Sequence, residues 1–338
     1  MGKDIITLAF ETSCDETSVA VMKGGRDVLS NIISSQVQVH QVFGGVVPEI
    51  ASRHHLEQIN SVAGEALAAA GVRLGQIGLI GVTQGPGLVG ALLIGLATAK
   101  AFAFALGVPI VGVNHIHAHI CANYIEHKGL EPPFIALTVS GGHTNLIRVR
   151  GYNDYEVLGA TRDDAAGEAF DKVARVLGLE YPGGPAIDRV AEAGDPHAVS
   201  FKRPLLEKDS LDFSFSGLKT AVLNYVNTER QAGRTVNVPD VAAGFRQSVV
   251  DVLTAKTMQA ADAHGGATVV MAGGVAANRL LRKSLGEACA KRGIALYYPQ
   301  PLLCTDNAAM AGAAAYYRYT EKGEDGLGLD ACPNMQMG

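Results

Sequence analysis

Ile5-Ile-Thr-Leu-Ala-Phe-Glu-Thr-Ser-Cys-Asp-Glu-Thr-Ser-Val-Ala-Val-Met22 opens the chain as an apolar strand, a polar turn and a second apolar strand. That is a β-hairpin by residue type and turn chemistry. Phe134-Ile-Ala-Leu-Thr-Val-Ser-Gly-Gly-His-Thr-Asn-Leu-Ile-Arg-Val149 repeats the plan. Each hairpin opens one half of the chain, and helical patterns and further apolar strands follow each. The repetition predicts an α/β protein built from a duplicated domain, with mixed sheets flanked by helices. The hairpin tips are expected to face each other across a cleft between two lobes. Predicted boundaries are an N-terminal lobe over 1–114, completed by about 311–338, and a C-terminal lobe over 115–310.

Between the hairpins, Leu56–Ala70 has helical periodicity and Ile77–Val82 reads as a buried strand. Gly85-Pro86-Gly87 is a turn into a long helix over 88–106, followed by the apolar strand Val108–Val113. After the second hairpin, Asp240–Ala263 places Val241, Phe245, Val249, Val252 and Leu253 on one helical side. Thr268–Ala272 is a strand, Gly273-Gly274 leads into a helix through Lys283, and Ile294–Tyr298 is a short strand. Thr305 or Asp306 is expected to cap a helix running through Ala315. The Gly-rich, polar tail after Lys322 is expected to be loose.

The 338 residues suffice for two domains, and 48% hydrophobic residues can fill their cores. Glycine, at 40 residues, is about 12% against a usual ~7%. Its pairs between apolar runs suggest tight turns and close ligand approach rather than disorder. Cys14, Cys121, Cys289, Cys304 and Cys332 form no C-x-x-C, which points to a reducing, cytoplasmic setting and away from a zinc ribbon. Ile5–Phe10 is too short for a signal peptide and runs into Glu11. The apolar stretch 88–113 is broken by Lys100 and Pro109. A span needs about 20 apolar residues, so a buried helix followed by a buried strand is expected, with no membrane association. A net charge of −5 gives no support to autonomous nucleic-acid binding. The basic groups Arg53-His54-His55 and Arg279/Arg282/Lys283 read as solvated faces.

The chemistry concentrates in a few motifs. Asn114 is a good helix N-cap before His115-Ile-His-Ala-His119. A helix starting there puts His115 and His119 on one face, with His117 pointing away. Two imidazoles plus one carboxylate, for which Asp306 of Thr305-Asp-Asn307 is the candidate, can hold Zn²⁺ or Fe²⁺ with open positions. Alternatively, the histidines line a strand end. The first hairpin tip carries Thr12, Ser13, Asp15, Glu16 and Thr17, either a polar turn or a group that orients a phosphate-bound metal or acts as a base. The second tip, Thr138-Val139-Ser140-Gly141-Gly142-His143-Thr144, either turns the hairpin or offers backbone N–H groups to an anion. No Gly-Lys-Ser/Thr ends it, so it is not a P-loop. Ala272-Gly-Gly-Val-Ala-Ala-Asn278 ends a strand in two glycines at a helix N-terminus, where a flat ring or phosphate can approach or a helix can pack closely. It lacks G-x-G-x-x-G. Asn278 can bond ring or ribose atoms. Asp163, Asp164, Glu168 and Asp171 read as a solvated helix side, followed by the Tyr181-Pro-Gly-Gly-Pro185 rim and Asp188.

Taken together, Glu11-Thr-Ser-Cys-Asp-Glu-Thr-Ser18, Pro48-Glu-Ile-Ala-Ser-Arg53, Gly85-Pro-Gly-Leu88, Asn114-His-Ile-His-Ala-His119, Ser140-Gly-Gly-His-Thr144, Phe213-Ser-Phe-Ser-Gly217, Gly273-Gly-Val-Ala-Ala-Asn278 and Thr305-Asp-Asn307 resemble the TsaD family. These are tRNA adenosine threonylcarbamoyltransferases within the actin/sugar-kinase/heat-shock ATPase (ASKHA) superfamily. The resemblance runs from about residue 5 to residue 318. It implies transfer of a threonylcarbamoyl group from threonylcarbamoyl-AMP to the N6 amine of the adenosine beside the anticodon, in tRNAs reading ANN codons, giving t6A and AMP. By resemblance His115, His119 and Asp306 hold the metal, with Fe²⁺ favoured and Zn²⁺ possible. Thr138, Val139, Ser140, Gly141, Gly142, Asp171, Gly184, Asp188 and Asn278 bind substrate. A smaller paralogue (TsaB) and an ATPase (TsaE) are implied partners. Asp15 or Glu16 is expected to orient the attacking amine or accept its proton. A metalloprotease of the His-Glu-x-x-His type is opposed by Ile116, which stands where the base would be. A small-molecule kinase would not need the His pair, and a non-catalytic scaffold should lack it.

Overall fold

The computed structural model describes residues 4–204 and 210–337. Ten strands are present among them: β1 Ile6–Glu11, β2 Glu16–Lys23, β3 Asp27–Ser35, β4 Leu79–Gly85, β5 Ile110–Asn114, β6 Phe134–Val139, β7 Thr144–Gly151, β8 Asp154–Ala160, β9 Thr268–Ala272 and β10 Ala295–Tyr297. The helices are α1 Val37–Gln41, α2 Pro48–Ala70, α3 Val89–Leu106, α4 His115–Glu126, α5 Ala166–Val176, α6 Gly183–Ala191, α7 Ser216–Gln231, α8 Val238–His264, α9 Arg279–Ala290, α10 Pro301–Cys304 and α11 Ala308–Lys322.

The strands form two five-stranded sheets, ordered β3-β2-β1-β4-β5 and β10-β9-β6-β7-β8. In the first sheet β1 pairs antiparallel with β2 and parallel with β4. In the second β6 pairs antiparallel with β7 and parallel with β9. The same plan is therefore used twice: a hairpin strand at the centre, its partner on one side, and a parallel strand reached through a helical crossover on the other. Both sheets are mixed and flanked by helices, so the α/β duplication expected from the two hairpins is present.

The compact units are Met1–Pro132 with Arg150–Tyr155 and Pro299–Gly338, and Pro133–Val149 with Glu156–Tyr298. This differs from the expected boundaries at 114 and 310. α4 and the Asp306 segment belong to the first unit, because α4 follows directly from β5 and packs on α11.

In the first unit the core lies between the sheet and α2 and α3, through Leu8, Phe10, Val19, Ile59, Val82 and Leu96. α2 begins at Pro48, a residue suited to the first helical position, eight residues before the periodicity becomes evident. α11 covers the other face of the sheet closely. A Cβ at Gly81 would lie 2.6 Å from Ala315 Cβ, and one at Gly312 would lie 2.7 Å from Met22 Cγ. The small residues of α11 permit that approach.

Three expectations are corrected here. α3 is not a buried helix: it packs through Ala91, Leu92, Leu96, Ala99 and Ala103 while only 33% of it is buried. By length and composition it is, among the described residues, the one helix that could cross a membrane. The tail beyond Lys322 is not loose. Leu329 inserts into the core, Cys332 N donates to Gln84 O, and Gly112 N donates to Asp325 Oδ2, so backbone groups near the end of β4 and in the middle of β5 hold it. Asp163 and Asp164 precede α5 rather than lying on its side. The Asp163 carboxylate accepts from Ser214 Oγ, Ser216 Oγ and the Phe215 and Ser216 amides, fixing the Phe213–Gly217 motif at the start of α7.

Candidate metal centre and nucleotide loops

Helix α4 starts as its sequence demands. Asn114 is its N-cap, and the side-chain oxygen accepts from the Ile116 and His117 amides at 2.9 and 3.3 Å. This registers His115 and His119 one turn apart, both buried, with ring centroids 4.6 Å apart. Asp306 reaches them from the loop before α11. Its Oδ1 is 3.5 Å from His115 Nε2 and 3.1 Å from His119 Nε2. One ligand atom from each residue lies within 4.8 Å of the others. Neither Thr305 nor Asp306 caps α11. Asn307 does, accepting from Met310 N at 3.1 Å, which leaves the Asp306 carboxylate turned to the histidines. His117 stacks on Tyr155 at 3.8 Å, and burial pushes its pKa down to about 4.

The residues at the centre fit a divalent cation. Both ring nitrogens of His119 are buried and make no hydrogen bond, although Nε2 is close to Asp306. At that distance without hydrogen-bond alignment, the pair suits a shared ion better than a direct bond. Charge gives the same answer. Burial opposes an imidazolium at His115, yet Asp306 and then Glu11 push its pKa up to about 9. The pocket therefore attracts positive charge, which a metal would supply while displacing the proton.

Behind His115 lies Glu11, which sequence reading passed over as a site residue. It is fully buried at the end of β1 and lies 3.2 Å from His115 Nδ1. Ser13 N and Thr83 Oγ1 donate to its two oxygens. Burial would raise its pKa, but the charge and hydrogen bond of His115, and then the hydrogen bond from Ser13, hold it below the usual glutamate range. The available signal was a charged residue closing the wholly buried run Leu8-Ala-Phe10, where no face meets solvent. Thr83 gave none.

Asp15 and Glu16 stand at the first hairpin tip. His55, expected on a solvated face, is instead buried beneath this tip: Nδ1 is 2.8 Å from Thr17 Oγ1 and Nε2 is 2.9 Å from Cys14 O. Arg53 beside it is exposed and paired with Glu49. Burial raises the Asp15 pKa, and burial followed by the Asp15 charge raises Glu16 to about 8. Ser35 Oγ donates to Glu16 Oε1, while buried Oε2 has no partner. The folded chain therefore binds this proton more tightly than the unfolded chain, whose glutamate titrates near 4.5. Stability from this group is complete below about 4.5 and is lost as pH rises to about 8, with a slope of at most about 1.4 kcal/mol per pH unit. Metal-free Glu16→Gln should lack this slope. Denaturant titrations of both chains between pH 5 and 8 would disprove the assignment if their curves ran parallel.

In the second unit Thr138 and Val139 end β6, buried, and Ser140 begins the turn. Ser140 N donates to His143 O, and its Oγ accepts from His143 N. Gly141 and Gly142 are exposed, and a Cβ on either would meet nothing. Gly167 of α5 presses on this turn: its amide donates to Ser140 O, and a Cβ there would lie 2.5 Å from that oxygen. Asp171 accepts from Gly183 N at 2.7 Å, tying α5 to the start of α6, where Gly184 sits. The structure brings Asp188 and Asn278 together. Asp188 Oδ1 accepts from Asn278 Nδ2 at 3.0 Å and from Arg246 at 2.7 Å. Asn278 also caps α9 through Oδ1, which accepts from Leu281 N. Its Oδ1 is thus committed to the cap, while Nδ2, which has two hydrogens, uses one to orient Asp188. Arg246, 58 residues from Asp188, carried no sequence signal. Arg282 lies over Tyr298 at 4.4 Å, while Arg279 is exposed beside Glu192.

The paired sheets define the class first. The fold is similar to that of HypF from T. kodakarensis (TM-score 0.65, 16% identity, covering 97% of this chain and 49% of that one). It is also similar to the ROK hexokinase of Thermus thermophilus (TM-score 0.51, 15% identity, covering 94% and 100%). These are actin-like, sugar-kinase-like folds. Residues 27–313 match the TsaD family, described as tRNA N6-adenosine threonylcarbamoyltransferase. Proteins of that name are 54% identical in Clostridioides difficile strain 630, over 99% of both chains, and 56% identical in Desulfitobacterium hafniense Y51, over 99% of this chain and 98% of that one. The chain belongs to the TsaD family and is a transferase.

Proposed function

We propose that the chain transfers the threonylcarbamoyl group from threonylcarbamoyl-AMP to the N6 amine of the adenosine beside the anticodon in tRNAs reading ANN codons. The observation that carries this reading is the buried convergence of His115, His119 and Asp306 in a chain of this family. An adenine amine is a weak nucleophile because its lone pair is delocalised into the ring, so the acyl donor must be activated, as a mixed anhydride with AMP is.

His115, His119 and Asp306 would hold the metal, with Fe²⁺ preferred and Zn²⁺ also compatible with two imidazoles and a carboxylate. Such an ion supplies charge stabilisation to oxygens that become more negative in the transition state. The Ser140-Gly141-Gly142 turn holds phosphate, through the Gly141 and Gly142 amides. Thr138 and Val139 end the strand that carries this turn. Gly273-Gly274, Asn278 and Asp188, which Arg246 steadies, seat the nucleoside half, with Asp171 and Gly184 shaping the adjoining α5–α6 segment. Asp15 or Glu16 takes the amine proton, and a Glu16 pKa of about 8 is close to what base catalysis near neutrality requires.

A TsaB-like paralogue and a TsaE-like ATPase complete the reading. Val89, Leu93 and Phe104 are exposed along one side of α3, at 55, 45 and 77%, and an apolar stripe of this kind supports a protein partner. A cytoplasmic setting is supported by five free cysteines. The test is transfer of labelled threonylcarbamoyl from the AMP donor to tRNA, with the partner proteins added and with casein cleavage and ATP turnover run beside it. Label on tRNA is the expected result. Casein cleavage, or ATP turnover by the chain alone together with no tRNA labelling in the full mixture, would overturn it.

A further inference from the structure

We infer that Glu11 is a positioning residue that sets which nitrogen of His115 is offered to the metal. The inference rests on the metal-centre reading above. Glu11 is not one of the converging ligands; it acts through His115 from the opposite side of the ring. Its Oε1 accepts from Ser13 N at 2.6 Å and its Oε2 from Thr83 Oγ1 at 2.5 Å. These bonds, from the turn after β1 and from β4, fix a carboxylate that has no exposure. The same Oε2 lies 3.2 Å from His115 Nδ1. An ionised carboxylate can only accept, so the hydrogen between them resides on Nδ1. Ser13 Oγ, 3.1 Å from that nitrogen, is a second acceptor for it.

A neutral imidazole has one N–H. Holding it on Nδ1 leaves the Nε2 lone pair free, and Nε2 is the atom that faces Asp306 at 3.5 Å. Outer carboxylates serve metal-bound histidines in this way, and their loss typically weakens binding about 10- to 100-fold. Glutamine at position 11 keeps the shape but can donate its amide hydrogen to Nδ1. That moves the ring hydrogen to Nε2 and blocks the ligand atom.

The experiment is competition between the full-length chain and a chromophoric chelator for Zn²⁺ and Co²⁺, with the Co²⁺ visible spectrum and the metal-free thermal midpoint recorded alongside. Wild type should bind one ion. Glu11→Gln should bind about 10- to 100-fold more weakly with an altered Co²⁺ band. Thr83→Val, which removes only the bond steadying Oε2, should weaken binding in the same direction by less. Glu11→Gln with wild-type affinity and spectrum overturns the inference, even if its thermal midpoint falls, because that pattern is a structural role alone. If Glu11→Gln does not fold, Thr83→Val decides: weaker binding supports the role and unchanged binding overturns it. A wild-type chain that binds neither ion overturns the metal centre itself and the Glu11 role with it.

Discussion

Replacing His119 with alanine is expected to leave a folded chain that transfers threonylcarbamoyl about 10²- to 10³-fold more slowly, the usual cost of removing one group that stabilises transition-state charge. Metal binding should weaken by more than the roughly 10- to 100-fold that loss of an outer-shell partner brings. Folding survives because no hydrogen bond depends on this ring, whose buried nitrogens make none; the loss is confined to its edge contact with His115 and the space it fills. Asp306, with 22% of its side chain exposed, still has His115 beside it. His115→Ala loses the metal equally but strands the fully buried Glu11 without its imidazole partner. Leaving a buried charged group unpaired costs about 1–3 kcal/mol or more. The two variants should therefore match in metal content and differ in stability. Metal analysis, thermal unfolding and the tRNA assay on both chains check this. Full metal occupancy in His119→Ala, together with a wild-type rate, would remove the triad from the chemistry.

That asymmetry between two histidines four residues apart shows where sequence reading stops. Asn114 announced the helix start, and the start fixed the face shared by His115 and His119, because both are local consequences of backbone geometry. The hairpins were legible for the same reason: strand composition and turn residues are local. Glu11 was not, since its role depends on a partner 104 residues away. Asp306 was found as a ligand candidate but also offered as a cap. Thr305, Asp306 and Asn307 can all cap helices, and only the fold decides which one turns inward. Arg246 and Asp188 met only through the packing of α6 on α8. The tail was misread because its polar, glycine-rich composition hid Leu329, and because the strand backbone groups that hold it, at Gln84 and Gly112, lie far upstream.

Gly273→Ala should be the most damaging single-methyl change in the nucleotide loops. Gly273 follows β9 with φ of +89° and ψ of 164°, a region essentially confined to glycine, where a residue with a Cβ pays about 1–3 kcal/mol. The pairing of Thr138 with Ala272 sets Gly273 directly against Val139. A Cβ there would lie 2.4 Å from Val139 O and 2.8 Å from Val139 C. Both are backbone atoms in a paired strand and cannot swing aside as a side chain would. Overpacking of this kind costs about 1–3 kcal/mol, so the total loss should be about 2–6 kcal/mol. The easiest relief is to part β6 from β9, but that disturbs Ser140 at the end of β6, whose turn is already pressed closely by Gly167. Adenylate binding should therefore weaken along with stability. Gly274→Ala is the control: a Cβ at that neighbour meets nothing within 4 Å, and its stability should stay within about 0.5 kcal/mol of wild type. Denaturant unfolding and AMP titration of the two variants separate a steric role for Gly273 from a general need for glycine in the loop. Equal behaviour of the two would refute the steric account.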